Sequence, residues 1–236
     1  MSFDFTKEMV LGKKHVDIVS YFEKEKYDFR PFLKDCFKTE QLDMVHENNP
    51  TYEVFKEFGP DVQTWYHETF YKYLKSESGD RMQIMYDNLI KDIILPYLGL
   101  KEALVQKFPS FRIQLPGNKA VAKMHNDHSL GHPVGEINFT YSFTDMYDTN
   151  TIYIEKMPRT KMFVPMNMKA NNNICFNANL CMHYNEINAT GKSRMSMDYR
   201  ILPLEYKPKE DVFSHSTRQK FVDGGYYKLV KNNLKE

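Results

Sequence analysis

The chain has few cysteines, no long apolar run and almost no net charge, and each shortage excludes something. Only Cys36, Cys175 and Cys181 occur among 236 residues. The number is odd and no two form a Cys-x-x-Cys pair. That excludes a disulfide scaffold and predicts free, buried thiols in a reducing, cytoplasmic setting. The best apolar run, residues 90–100, is broken by Lys91, Asp92 and Pro96, so no membrane span is expected. The first residues, Met-Ser-Phe-Asp-Phe-Thr-Lys-Glu, lack the basic segment and apolar stretch of a secretory signal. Lys and Arg number 32 against 31 Asp and Glu, a net charge of +1. No global field therefore draws the chain to nucleic acid or to an acidic membrane, and neither partner is expected.

What is present is a balanced mixture, 42% hydrophobic and 27% charged, long enough to bury one sizeable core. A single domain over residues 1–236 is expected. Its texture changes along the chain. Residues 1–105 read as a mostly helical support region. Val62, Trp65, Tyr66, Thr69 and Tyr73 recur at helical spacing and predict a helix over 61–75, preceded by Pro60. Met82, Met85, Leu89 and Ile93 predict a second over 80–95, stopped by Pro96 and Gly99. Residues 106–205 read as a β core of short alternating runs separated by turns. Phe111-Arg-Ile-Gln114 ends at the turn Pro116-Gly117-Asn118. Ile137, Phe139, Tyr141 and Phe143 alternate with Asn138, Thr140, Ser142 and Thr144. A run follows at 151–155, then a turn at 171–173 and another run at 174–176. Met195, Met197, Tyr199 and Ile201 alternate with Arg194, Ser196, Asp198 and Arg200. Such spacing predicts a sandwich, jelly roll or barrel. Residues 206–236 are Lys-rich and are expected to wrap the outside.

Three residues carry the chemistry. His125 and Asp127 are two apart, so on extended backbone an imidazole and a carboxylate converge on one side. His183 follows after three further strand-like runs, and a closed double sheet can return it opposite the first pair. Two neutral imidazoles and one carboxylate make the facial ligand set of non-haem Fe(II) oxygenases, with three positions left open. Arg194 and Ser196 share a strand face, and a guanidinium beside a hydroxyl is a receptor for a carboxylate held away from the metal. Arg194 is preferred to Arg112 and Arg200 for its spacing from His183 and its Ser196 neighbour.

These runs resemble the Fe(II)/2-oxoglutarate-dependent dioxygenases, and among them the branch known from streptomycin and related aminoglycoside biosynthesis. The matching stretches are Phe111-Arg-Ile-Gln114, His125-Asn-Asp127, Gly135-Glu-Ile-Asn-Phe139, Asn150-Thr-Ile-Tyr-Ile-Glu155, His183-Tyr-Asn185 and Thr190-Gly-Lys-Ser-Arg-Met-Ser-Met-Asp-Tyr-Arg200, in the family's order. The resemblance implies an α+β, mainly β fold. Its core would be a double-stranded β-helix (jelly roll), with the N-terminal helical part packed on it. It implies that His125, Asp127 and His183 ligate Fe(II), and that Arg194 and Ser196 hold the distal carboxylate of 2-oxoglutarate. Gln114 and Thr151 would be further cosubstrate contacts. Dioxygen would complete the reactants, and a small polar metabolite (a sugar, an aminocyclitol or similar) would be oxidised, with release of succinate and carbon dioxide. Halogenating relatives lack the carboxylate ligand, so Asp127 points to hydroxylation, desaturation or cyclisation.

Plainer readings exist for each residue. A lone histidine is more often a hydrogen-bonded core residue, and Arg194, Ser196, Asp198 and Arg200 could form a solvated strand face with Asp198 bridging two arginines. A zinc set from His125, His128 and His132, or from Cys181 and His183, would leave Asp127 idle. His128 and His132 fit a loop over the pocket mouth, where either could touch substrate, and residues 131–135 have the composition of a mobile loop. Two alternatives to the oxygenase are a non-catalytic jelly-roll binding domain and a cupin-like metal enzyme that ignores 2-oxoglutarate. Indifference to Arg194 would mark the latter.

Overall fold

Phe111, Phe139, Tyr141, Met195, Met197 and Tyr199 alternate with polar residues along three strands, and the period of two puts all six on one face. In the computed structural model that face is covered by helices. The structure describes residues 16–19, 24–48, 64–119, 123–209, 212–214 and 218–232. Among them are ten strands: β1 (Val16–Val19), β2 (Glu102–Gln106), β3 (Ser110–Gln114), β4 (Ile137–Ser142), β5 (Ile152–Glu155), β6 (Phe163–Pro165), β7 (Asn172–Phe176), β8 (His183–Asn185), β9 (Arg194–Pro203) and β10 (Tyr227–Lys231). A large antiparallel sheet runs β1-β7-β4-β9-β2-β10. Strand β3 joins the same edge of the long β9, pairing Arg194 to Asp198. A small antiparallel sheet runs β6-β5-β8.

Three helices lie on the apolar face: α1 (Arg30–Phe37), α2 (Trp65–Tyr73) and α3 (Glu77–Leu89). Phe70 stacks on Phe111 with centroids 4.5 Å apart, and Tyr86 meets Tyr199 edge-on at 5.5 Å. Burying each such ring contributes roughly 1.5–3 kcal/mol. On the opposite face, Ile152 and Ile154 of β5 pack with Ile174 and Phe176 of β7, closing an apolar cluster between the two sheets. The order of layers is therefore helices, large sheet, small sheet. No helix among the described residues is long and apolar enough to cross a membrane.

The helical segments depart from expectation in instructive ways. The helix expected over 80–95 starts earlier, at Glu77, because Ser76 Oγ accepts the Gly79 N–H at 3.3 Å as a cap. Pro96 does not stop it. The helix widens into a π turn, Ile90–Ile94, where Leu95 N–H bonds to Ile90 O, and continues through Leu95–Tyr97. The wide turn accommodates the ring and missing N–H of Pro96 without a break. Gly99, at φ +68°, then ends the run. The helix expected over 61–75 is described only from Thr64; Pro60, Asp61 and Val62 lie outside the described residues. Its buried face is Tyr66, His67 and Phe70, while Trp65 stays 46% exposed on the flank.

The strands also differ in detail. In the stretch expected as a turn at 171–173, only Asn171 bends, at φ +61°; Asn172 and Asn173 already belong to β7. The ends of the chain contribute to the large sheet as well. Strand β1 pairs with β7 at one edge and β10 with β2 at the other. The tail thus adds a strand, and Phe221, Tyr226 and Tyr227 form a third apolar cluster with Leu104 and Leu202. All three cysteines are free and buried, and burial pushes the Cys36 and Cys181 thiols up to about 12.

Candidate metal and cosubstrate site

The site begins with one backbone pair. His125 N–H donates to His183 O at 3.2 Å and His183 N–H returns the bond to His125 O at 2.8 Å. This bridge sets the two rings side by side, with centroids 4.4 Å apart. Asn126 is extended (φ −115°, ψ 153°), and Asp127 opens a single 3-10 turn, Asp127–Leu130. Asn126 Oδ1 caps that turn through Ser129 N–H at 2.8 Å, and Asp127 N–H is tied to Ala178 O at 2.8 Å. Asp127 Oδ1 then lies 3.6 Å from His125 Nε2 and 3.7 Å from His183 Nε2. One ligand atom from each of the three falls within 4.8 Å of the others.

The surroundings prepare these atoms for a metal. His125 Nδ1 is 2.7 Å from Lys123 O, and His183 Nδ1 is 3.2 Å from Cys181 O. A carbonyl only accepts, so each Nδ1 carries a proton, and Nε2 is the nitrogen each ring offers to a metal. Burial lowers the His183 pKa to about 4 against the pull of Asp127, so the ring is neutral. For Asp127, burial alone would raise the pKa. The Arg200 guanidinium overcomes it and holds the carboxyl well below its usual range. Its other oxygen, Oδ2, accepts from Asn138 Nδ2 at 2.8 Å and from Arg200 Nη2 and Nε at 2.8 and 3.1 Å. Two imidazole nitrogens and one carboxylate oxygen suit a divalent first-row metal such as Fe(II).

The polar face of β9 is interior, which corrects the solvated reading. Arg194 and Ser196 are 2% and 0% exposed, and Arg200 is buried too. Asp198 does not bridge Arg194 and Arg200. It takes Arg112 Nε on Oδ2 at 2.9 Å and Thr140 Oγ1 on Oδ1 at 2.7 Å. The rest of the β4 stripe faces inward as well. Asn138 reaches Asp127, Ser142 Oγ donates to Thr144 O, and Thr144 Oγ1 accepts Met195 N–H.

Arg194 differs from the other two arginines. Arg112 is neutralised by Asp198, and Arg200 by Asp127. Arg194 donates Nη1 to Ser196 Oγ at 2.8 Å, its Nε has no partner, and no ion pair joins it to a carboxylate among the described residues. Burial lowers its pKa to about 10, with Asp198 opposing the shift and Arg112 adding to it. A buried cation without a counter-charge costs several kcal/mol, on the order of what a bound anion would restore.

The remaining expected contacts are placed less decisively. Gln114 faces Arg194 across the β3–β9 ladder, but its Nε2 donates to Asn118 O at 3.2 Å and Glu186 O at 2.7 Å. What it still offers is Oε1, an acceptor without a partner. Thr151 precedes β5, is fully buried, and has an unpartnered Oγ1. No hydrogen bond joins Gln114 or Thr151 to Arg194 among the described residues.

The segment 131–135 is largely packed, with Val134 exposed. His132, Pro133 and Gly135 are buried, and His132 Nδ1 lies 2.7 Å from Glu136 Oε2. His128 is exposed and directs Nδ1 to His132 O at 3.3 Å, so the zinc sets are not gathered. A second group of possible ligands, Asp127, His132 and Glu136, is already filled by Arg200 and Tyr227. Sequence reasoning missed Glu136, Gln106 and Tyr226 as partners of the site. The available signal was Glu136 itself, a charge at the head of an apolar strand that must find a partner when buried.

Comparison with known proteins supports the resemblance. No protein-family model matches the chain. It is 29% identical over 170 residues to the streptomycin biosynthesis protein StrG of Streptomyces griseus, covering 72% of this chain and 78% of that one. The solved non-heme monooxygenase ThoJ, in its nickel complex, matches at TM-score 0.55 and 12% identity, over 98% of this chain and 89% of that one. CytC3 with Fe(II) and alpha-ketoglutarate matches at 0.54 and 15%, over 98% and 100%. The alpha-ketoglutarate-dependent epimerase SnoN from nogalamycin biosynthesis matches at 0.52 and 12%, over 95% and 98%. At these identities the structural likeness is one of fold. The chain resembles non-haem Fe(II)/2-oxoglutarate oxygenases of antibiotic biosynthesis.

Proposed function

We propose that the chain is an Fe(II)- and 2-oxoglutarate-dependent dioxygenase that hydroxylates a small polar metabolite, such as a sugar or aminocyclitol, releasing succinate and carbon dioxide. In this reading residues 1–236 form one domain, and the two sheets form a double-stranded β-helix with the helices packed on its larger sheet. The observation that carries the proposal is the pairing of two receptors. Three metal-ligand atoms lie within 4.8 Å of one another, and the strand that holds Asp127 through Arg200 also presents the buried, unneutralised Arg194.

His125 Nε2, His183 Nε2 and Asp127 Oδ1 would hold the iron, and Arg194 with Ser196 the distal carboxylate of 2-oxoglutarate. When bound, iron, cosubstrate and dioxygen supply the oxidising power needed to break an unactivated C–H bond. The chain supplies order. Lys123 O and Cys181 O fix both imidazole tautomers. Arg200 and Asn138 keep the carboxylate ionised and turned. Burial of Arg194 strengthens its grip on an anion by keeping water away. Asp127 stands at the ligand position that halogenating relatives leave free, which favours hydroxylation, desaturation or cyclisation over halogenation.

The test is anaerobic. Fe(II) and then 2-oxoglutarate are added to the purified chain while the visible metal-to-ligand charge-transfer band of the chelate is followed. A band in the wild type that is lost in Asp127→Ala supports the proposal. No band in protein shown to contain iron refutes it.

A further inference from the structure

Behind the imidazoles lies a set of buried groups that touch neither metal nor cosubstrate in the proposed chemistry. Arg200 is at its centre and commits every guanidinium nitrogen. Nε and Nη2 go to Asp127 Oδ2, while Nη1 donates to Gln106 Oε1 at 3.3 Å and Tyr226 OH at 3.1 Å. Arg200 Nε also lies 3.6 Å from Glu136 Oε2. Glu136, 2% exposed, is held in turn by His132 and by the hydroxyl of Tyr227. These groups come from β2, from the segment before β4, from β9 and from the tail at β10. The Phe221 ring packs against His132, Tyr226 and Tyr227 and closes the cluster on the outside.

The geometry points to Arg200 as a positioning residue for Asp127, and to Tyr226 in the C-terminal segment as the group that holds Arg200 in place. The inference rests on the reading of His125, Asp127 and His183 as a metal centre. A carboxylate can bind a metal through one oxygen or both. Here Oδ2 is occupied by three N–H donors, so only Oδ1 faces the two imidazoles. Asp127 is thereby restricted to one oxygen, and its plane cannot turn. A metal held there would meet Asp127 through Oδ1 alone. Groups that fix a metal's ligands from behind are worth about 10–100-fold in metal affinity.

The experiment uses the full chain, without oxygen, and Co(II) as the probe, because its visible ligand-field spectrum reports the number and arrangement of ligands. Stoichiometric binding by the wild type, lost in Asp127→Ala, establishes the metal centre on its own; no binding by the wild type removes that reading and this one with it. Given that centre, Arg200→Gln is expected to bind Co(II) about 10–100-fold more weakly, with an altered spectrum. Arg200→Lys should recover part of both. Tyr226→Phe, which deletes a single hydroxyl, should shift both in the same direction by less. Circular dichroism checks that each variant folds. If Arg200→Gln does not fold, Tyr226→Phe decides: an altered spectrum supports the inference, and wild-type affinity and spectrum overturn it. Folded Arg200→Gln with wild-type affinity and spectrum overturns it directly.

Discussion

Arg112 and Asp198 form an ion pair across the β3–β9 ladder, Nε to Oδ2 at 2.9 Å, and this leaves Arg194 without a carboxylate of its own. One carboxylate stands near two guanidinium groups and is spent on the more exposed. Thr140 takes its second oxygen. Arg194 is therefore the cation in this row whose partner must come from outside. Arg194→Ala should raise the 2-oxoglutarate requirement about 30–1,000-fold, the loss of a buried, hydrogen-bonded charge pair worth about 2–4 kcal/mol. Fe(II) affinity should stay within about threefold, since Arg194 touches none of the three ligands. Titration of the charge-transfer band against 2-oxoglutarate measures the first and metal titration the second. Comparable losses of cosubstrate and iron would show that Arg194 acts on the fold instead.

Ser196 should matter less, and in the same direction. Its Oγ accepts Arg194 Nη1 at 2.8 Å, so it sets the direction of the guanidinium before any anion arrives. Ser196→Ala removes one hydrogen bond of roughly 1–1.5 kcal/mol, or about 5–13-fold in 2-oxoglutarate affinity. The same titration reads it. An unchanged affinity would mean that packing, and not Ser196, orients Arg194.

The parts legible in the sequence were those written in local periodicity. Alternation along β4 and β9 separates the residues facing the helices from those facing the site, because successive side chains on a strand point opposite ways. The His-x-Asp spacing was legible for the same reason. The edge strands β1 and β10 were not, because a short edge strand is defined by its partner and not by its own pattern. Likewise Asp127 and Arg200 are 73 residues apart, and Glu136 and Tyr227 are 91 apart, so no local window contains either pair. The segment 131–135 misled for a different reason. Its glycines answer to backbone angles, with Gly131 at φ +87° and Gly135 at φ +98°, and those angles serve a packed turn as readily as a mobile loop.

Gly135 should be intolerant of a methyl group. At φ +98° an L side chain is strained, and an added Cβ would lie 2.6 Å from Tyr206 Cβ and collide with its ring. Both atoms belong to the rigid base of Tyr206, so the contact cannot be relieved by swinging a flexible tip. Gly135→Ala is expected to cost about 2–4 kcal/mol, a fall in Tm of roughly 5–15 °C for a chain of this size. Thermal unfolding followed by circular dichroism checks it. A change in Tm below about 2 °C would show that Tyr206 moves aside freely.

His67 gives the helical layer a pH dependence of its own. It is buried on α2, meets the Phe111 ring edge-on at 5.5 Å, and accepts at Nδ1 from Thr64 N–H at 3.4 Å as part of a capping box. Burial, helped by the nearby charge of Arg112, lowers its pKa to about 4. An unfolded chain binds a proton as pH falls through the ordinary histidine value near 6.5, whereas the folded one waits until about 4. In that window the unfolded state holds more protons, so stability is complete above about 6.5 and declines as pH falls toward 4. Below 4 both states are protonated and the group takes nothing further. The whole decline is on the order of 3 kcal/mol, and about 2 kcal/mol of it falls between pH 7 and pH 5. His67→Phe keeps an aromatic ring against Phe111 and removes the titration. Urea unfolding at pH 7 and pH 5 should show the wild type losing about 2 kcal/mol more than this variant. Because His183 titrates alike in both proteins, the difference isolates His67, and equal losses would assign the acid sensitivity elsewhere.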